Sequence, residues 1–294
     1  MKIVSGPSSP ALSVNISRLL NAPIARIKYK RFPDGEFYFK FEEDISDEDI
    51  IVIQSLYPPQ ESHIFELLVI LHTARDLGAN NIHLFIPYLA YSRQDERYLS
   101  GEAVTSRMLA DIIQQFDITS FYTIDIHNKK ILSFYKASAY TLFASLELVN
   151  YALKHGINDP IIIAPDDEED AIERVKYAAS NLSLEYNFLG KFRDRYTGEI
   201  TTFEREFEVK ERDVVLIDDI ISTGKTMANA VRILRRREAG KIYVGVSHLL
   251  PSPHAIQLIY EAGADEIFAS DTIPSELSKV SVAPIFVQSF KKNI

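Results

Sequence analysis

The chain has 294 residues, enough for two domains of ordinary size or for one large one. At 46% hydrophobic and 25% charged it falls outside the disordered, collagen-like and coiled-coil classes, and with no cysteine it has no disulfide, thiolate zinc site or cysteine nucleophile. Its 32 basic and 41 acidic residues leave a net charge of −9, which argues against a general nucleic-acid binder and still allows a local basic pocket for a phosphorylated small molecule.

In chain order, the first predicted strand, 2–4, breaks at Ser5-Gly6-Pro7, too early for the apolar region of a signal peptide. Aliphatic runs such as 67–71 are too short to span a bilayer, so a cytoplasmic location and no membrane partner are expected. Residues 31–41 hold a turn signal, Pro33-Asp34-Gly35, followed by Phe37, Phe39 and Phe41 at strand alternation, the pattern of a hairpin. A strand at 50–54 leads to a helix at 61–77, where Ile64, Leu67, Leu68, Leu71 and Ala74 share one face and Gly78 ends it. The strand 82–86 and Pro87 precede Tyr91-Ser92-Arg93-Gln94-Asp95, a loop in which Arg93 and Arg97 can hold phosphate and Gln94 can pair with a base or ribose. A solvated charged loop also explains it. After a helix at 104–115, the strand 121–126 ends in Asp125-Ile126-His127, whose alternation puts Asp125 and His127 on one side, where they bind a divalent cation or orient each other.

The second half repeats the alternation of strand and helix that builds βαβ units and a mainly parallel sheet. A helix at 145–155 and a strand at 161–164 lead into Asp166-Asp167-Glu168-Glu169-Asp170, acidic residues favourable at the start of the helix 171–182. Lys191-Phe192-Arg193, then Asp194 and Arg195, place cations one residue apart, suited to closing over a triphosphate or to a plain charged turn. The strand 214–217 is four apolar residues, after which Asp218 and Asp219 emerge at its C-terminal end, where open α/β sheets bind ligands. Ser222, Thr223, Gly224, Lys225 and Thr226 then open a helix at 226–238, and free N–H groups, the positive dipole end and hydroxyls converge there on a phosphate. A Walker A reading fails, because the glycine it needs five positions before Gly224 is Asp219. Carboxylates beside a phosphate cradle suit a sugar phosphate. Strands at 242–247 and 266–269 complete the series. Asp76-Leu77-Gly78-Ala79, Glu238-Ala239-Gly240 and Glu261-Ala262-Gly263-Ala264 each give helix, glycine and strand, an echo that fits a duplicated domain or any α/β chain. The expected division is 1–141, 142–280 and a C-terminal segment, 281–294, free to pack back on the first domain.

The run Val214 to Thr226 resembles the phosphoribosyl diphosphate motif of type I phosphoribosyltransferases and of ribose-phosphate diphosphokinases. Arg31-Phe32-Pro33-Asp34-Gly35-Glu36, Tyr91-Ser92-Arg93-Gln94-Asp95 and Asp125-Ile126-His127, in this order and spacing, resemble the diphosphokinases alone, and so do Ser5-Gly6 and Ser270-Asp271-Thr272-Ile273-Pro274. The resemblance implies an α/β fold of two similar phosphoribosyltransferase-like domains, each with a mainly parallel sheet flanked by helices. It implies transfer of the diphosphoryl group of ATP to ribose 5-phosphate, with Mg2+ as cofactor. It further implies that Phe32, Asp34, Gly35 and Glu36 meet ATP from a neighbouring subunit, so that the active species is a homo-oligomer, at least a dimer. Arg93, Gln94, Asp95, Arg97 and His127 are the other implied ATP residues; His127 and Asp166 are implied for metal. Lys191 and Arg193 belong to the implied catalytic loop, with Arg193, Asp218, Asp219, Ser222, Thr223, Gly224, Lys225 and Thr226 on ribose 5-phosphate. The chain departs from the family pattern at Asn128 and Lys130, where alanine and glutamine are common, and soon after Asp166, where carboxylates stand in place of a glycine pair. Metal held by several acidic groups is a workable substitute for a backbone cradle there. Two other readings fit parts of the chain: a phosphoribosyltransferase, which leaves Arg93 to Asp95 unused, and a noncatalytic nucleotide-binding relative.

Overall fold

The computed structural model describes residues 1–193, 200–203 and 207–294, the side chains within 191–206 excepted. The chain divides into two compact units, Met1–Leu142 with Val282–Ile294, and Phe143–Ser281.

The first unit runs β1 (Lys2–Ser5), α1 (Pro10–Leu20), β2 (Ile27–Arg31), β3 (Phe37–Phe41), β4 (Ile50–Ile53), α2 (Gln60–Asp76), β5 (Ile82–Ile86), α3 (Thr105–Ile113), β6 (Ser120–Ile124) and β7 (Ser138–Leu142). Among the described residues its main sheet has the order β1-β4-β5-β6-β7, and every neighbouring pair is parallel. Strands β4, β5 and β6 are buried along their whole length, which is why they read as unbroken apolar runs. Strands β2 and β3 stand apart as the antiparallel hairpin expected at 31–41, with Arg31 opposite Phe37.

The second unit runs α4 (Ser145–Lys154), β8 (Ile161–Ala164), α5 (Glu169–Leu182), β9 (Tyr186–Phe188), β10 (Gly190–Arg193), β11 (Ile200–Phe203), β12 (Val214–Ile221), α6 (Lys225–Arg236), β13 (Ile242–Leu249), α7 (Pro253–Glu261), β14 (Glu266–Ser270) and β15 (Ser278–Val280). Its sheet has the parallel order β15-β14-β13-β12-β8-β9, and β10 pairs with β11 separately. The core lies where α6 meets this sheet, around Val214, Leu216, Met227, Val231, Leu234 and Val244. The fold class expected from the alternation of strand and helix is the one observed.

The last helix, α8 (Ala283–Asn293), belongs to the first unit. Phe286 stacks on Phe85 of β5 with ring centroids 4.3 Å apart and meets Tyr122 of β6 edge-on at 5.3 Å. Aromatic pairs of this kind add about 0.5–1.5 kcal/mol each beyond the area they bury, which ties the end of the chain to the first sheet.

Candidate active site

In the second unit, β12 is longer than the predicted strand 214–217. It continues to Ile221 because β13 runs beside it as far as Leu249, with Ile220 in register with His248. Asp218 and Asp219 therefore sit inside the strand and do not emerge beyond its end. Asp219 is buried, Asp218 is half-buried, and the Asp219 N–H donates to Asp218 Oδ1 at 2.9 Å. The chain then turns through half-buried Ser222 and exposed Thr223 to Gly224, which precedes α6 with φ +75. Only glycine fits comfortably: a Cβ there would lie 2.8 Å from the Ala255 carbonyl oxygen of α7 and 2.9 Å from its Cα. No side chain caps α6, and no acidic residue lies in its first turn. The opening N–H groups, flanked by exposed Lys225 and half-buried Thr226, make a start of the kind that suits an anion.

Asp166 and Asp219 both act electrostatically on Asp218. Asp166, buried after β8, accepts the Glu168 N–H at 3.2 Å and so shapes the entry to α5. Burial pushes the Asp218 carboxyl well above the usual carboxylate range, the Asp219 charge pushes it further, and Asp166 adds to the rise. The opposing influence is Arg174 of α5, whose Nη1 lies 3.7 Å from Asp218 Oδ1 with its side chain 2% exposed. Glu169 and Asp170 fill the first turn of α5, which is therefore an acidic helix start. Among the described residues no three histidine, aspartate or glutamate side chains converge closely enough to cage a metal ion. A magnesium ion held by one or two carboxylates, with water and substrate phosphates completing its shell, fits this set of hard oxygen donors.

In the first unit, Phe32, Asp34, Gly35 and Glu36 form the exposed tip of the β2–β3 hairpin. The turn is closed by Phe32 N–H to Glu36 O at 2.9 Å and by Glu36 N–H to Asp34 Oδ1 at 3.2 Å. Lys30 Nζ sits 4.4 Å from the centre of the Phe32 ring. Next to the turn, Arg31 is ion-paired to Glu66, a buried carboxylate on α2, and donates to Gly35 O at 3.2 Å. Arg93, Gln94 and Arg97 are exposed on the loop after β5, and Asp95 between them is buried.

The reading of Asp125 and His127 as alternating neighbours on a strand is corrected. Strand β6 ends at Ile124, and Asp125 turns away with φ +37. The Asp125 N–H makes the last ladder bond of β6, to Leu142 O, and the next donor, the Ile126 N–H, goes to a side chain, Thr141 Oγ1, so the backbone ladder stops there. Asp125 is buried and His127 half-buried. Lys191 and Arg193 lie on β10, where their backbones pair with Thr202 and Ile200; their side chains, and Arg195 altogether, fall outside the described residues.

Sequence reasoning overlooked Arg174 and Glu66. Each is a charge on the apolar stripe of its helix, Arg174 among Ala171, Val175 and Ala178, and Glu66 among Leu67, Ile70 and Leu71. A charged residue on a stripe of that kind requires a buried partner, and that was the available signal.

Two parallel α/β units, one with paired carboxylates inside a buried strand that leads to an uncapped helix start, define an α/β protein built to take a phosphorylated ligand. Residues 1–116 match the family model described as the N-terminal domain of ribose phosphate pyrophosphokinase, and residues 206–287 match the phosphoribosyl synthetase-associated domain. A ribose-phosphate pyrophosphokinase from Sulfurisphaera tokodaii is 36% identical, with 97% of each chain covered. Another, from Methanothermobacter thermautotrophicus, is 32% identical over 98% of this chain and 99% of its own. The crystal structure of phosphoribosylpyrophosphate synthetase from Mycobacterium smegmatis shares the fold, with a TM-score of 0.86, 24% identity, and coverage of 99% and 98% of the two chains. The chain belongs to the ribose-phosphate pyrophosphokinase family.

Proposed function

We propose that the chain transfers the β,γ-diphosphoryl group of ATP to the anomeric hydroxyl of ribose 5-phosphate, releasing AMP and phosphoribosyl diphosphate. The observation that carries the sugar-phosphate half of this reading is the uncapped start of α6 after Gly224, at the end of the strand that holds Asp218 and Asp219, and the family match over residues 1–116 favours the diphosphokinase over a transferase. Its N–H groups with Ser222, Thr223, Lys225 and Thr226 take the 5-phosphate, while the two carboxylates take the ribose hydroxyls. Phe32, Asp34, Gly35 and Glu36 of a neighbouring subunit, with Arg93, Gln94, Arg97 and His127, take ATP. Lys191 and Arg193 stabilise charge that builds on the group in flight, since phosphoryl chemistry depends on positioning and charge neutralisation more than on covalent help. Magnesium, when bound, neutralises and orients the phosphates; Asp166 and His127 are the residues assigned to it. The active species is a homo-oligomer, at least a dimer, and the location that these substrates imply is the cytoplasm. Among the described residues no helix is long and apolar enough to cross a membrane.

The test is release of AMP from ATP with magnesium. AMP that appears only when ribose 5-phosphate is present supports the diphosphokinase. Release of diphosphate from phosphoribosyl diphosphate and a nucleobase, with no AMP from ATP, would replace it with a transferase.

A further inference from the structure

We propose that Asn128 is a positioning residue for ATP, and that Asp95 acts by holding Asn128 and not by touching the nucleotide. This rests on the ATP reading of the first unit. Strands β5 and β6 are parallel neighbours, and the loops that leave their C-terminal ends carry Arg93 to Arg97 and His127 to Lys130. One amide joins these loops. Asn128 Nδ2 donates to Asp95 Oδ2 at 2.6 Å, and Asn128 Oδ1 accepts the Lys130 N–H at 2.9 Å.

The orientation of that amide follows from chemistry. A backbone N–H can only donate, so the Asn128 oxygen must face Lys130, which leaves its NH2 for a carboxylate that only accepts. Asp95 is 4% exposed, whereas Arg93, Gln94 and Arg97 around it are exposed. The carboxylate is thus turned inward onto Asn128 while its neighbours face outward. On the other flank, Ser106 fixes the same loop, its N–H and its hydroxyl both donating to Gln94 O, at 3.2 and 3.0 Å. Lys130 and Glu96, 3.3 Å apart, span the same two loops, but this pair is exposed and contributes little. The loop is held at Gln94 from α3 and at Asp95 from Asn128, so the aim of Arg93 and Arg97 relative to His127 rests in part on this half-buried hydrogen bond.

The experiment measures KM for ATP and for ribose 5-phosphate, turnover and thermal midpoint in four proteins: wild type, Asn128→Ala, Asn128→Asp and the swap Asp95→Asn with Asn128→Asp. Asn128→Asp keeps an acceptor for the Lys130 N–H but sets two carboxylates against each other. We expect both single variants to raise KM for ATP about tenfold, the scale of one hydrogen bond to a charged group, with KM for ribose 5-phosphate unmoved. The swap restores the donor–acceptor pair in reverse and should recover most of the ATP affinity. Single variants that lower the thermal midpoint alone, or raise both KM values equally, overturn the proposal by making the bond merely structural. Failure of the swap to recover ATP affinity, with a thermal midpoint near wild type, overturns it by making Asp95 a direct ligand. If a single variant does not fold, the swap decides by the same criterion. Wild-type protein that releases no AMP overturns the underlying reading instead, and the proposal with it.

Discussion

Arg174 Nη1 stands 3.7 Å from Asp218 Oδ1, inside the second unit, with the arginine side chain 2% exposed and the aspartate 14%. Asp166 and Asp219 act on the same aspartate in the opposite sense, so Arg174 is the group that eases its ionisation where burial and neighbouring charge oppose it. Removing one member of a buried pair costs about 3–5 kcal/mol, so Arg174→Met is a poor probe. Arg174→Lys keeps the charge and loses the planar fork. With the lowering influence weakened, the Asp218 pKa rises further, and the form able to accept bonds from ribose hydroxyls prevails only at higher pH. The acidic limb of kcat/KM for ribose 5-phosphate should therefore move to higher pH in Arg174→Lys, while KM for ATP stays near wild type. An unmoved limb with normal folding would show that Asp218 does not depend on this arginine.

The phosphate cradle separates into hydroxyls and backbone. Thr223→Val and Thr226→Val remove one hydroxyl each and should raise KM for ribose 5-phosphate more than KM for ATP. An equal rise in both would refute the assignment. Gly224→Ala tests the turn itself, because its φ of +75 and the Ala255 carbonyl 2.8 Å from the new methyl strain the fold together. A residue forced into that region costs about 1–3 kcal/mol, which denaturant unfolding of Gly224→Ala would reveal.

The hairpin tip is exposed, and Arg31 beside it pins the turn to the buried Glu66. If the tip serves a neighbour's ATP, an inactive Glu36→Ala chain mixed with an inactive Lys191→Ala chain should regain activity, since a mixed interface rebuilds one intact site. Absence of recovery after demonstrated subunit exchange would mean that each chain uses its own tip.

Lys191→Ala examines the catalytic assignment directly. Loss of a preorganised charge-stabilising donor should lower turnover at saturating substrates on the order of 10²–10³-fold, or ~3–4 kcal/mol, with ATP affinity changed far less. Phe192→Ala, which removes no charge, is the control. A lysine in a solvated turn would shift stability by under ~0.5 kcal/mol and leave turnover nearly intact, and that outcome would remove Lys191 from the mechanism.

Apolar runs at β4, β5, β8 and β13 were legible as buried parallel strands because burial on both faces leaves no polar alternation. The cradle at Ser222 to Thr226 was legible too, since a turn that meets a helix start is a local arrangement of neighbouring residues. Elements that went unpredicted include α1, β7, β9, β10, β11, β15 and α8; α8, for instance, is docked by Phe286 on Phe85, two hundred residues away in the chain. The length of β12 was decided by its partner β13, and β6 ends where Asp125 takes φ +37 and the Ile126 N–H passes to the Thr141 hydroxyl. The pairs Arg174 with Asp218, Glu66 with Arg31, and Asn128 with Asp95 join residues 44, 35 and 33 positions apart. By itself the sequence determined the α/β class and the chemical identity of the local motifs, because periodicity and turn chemistry act over a few residues. Only the tertiary structure decided which charges are buried and what each one faces, because desolvation and pairing depend on neighbours that the fold brings from elsewhere in the chain.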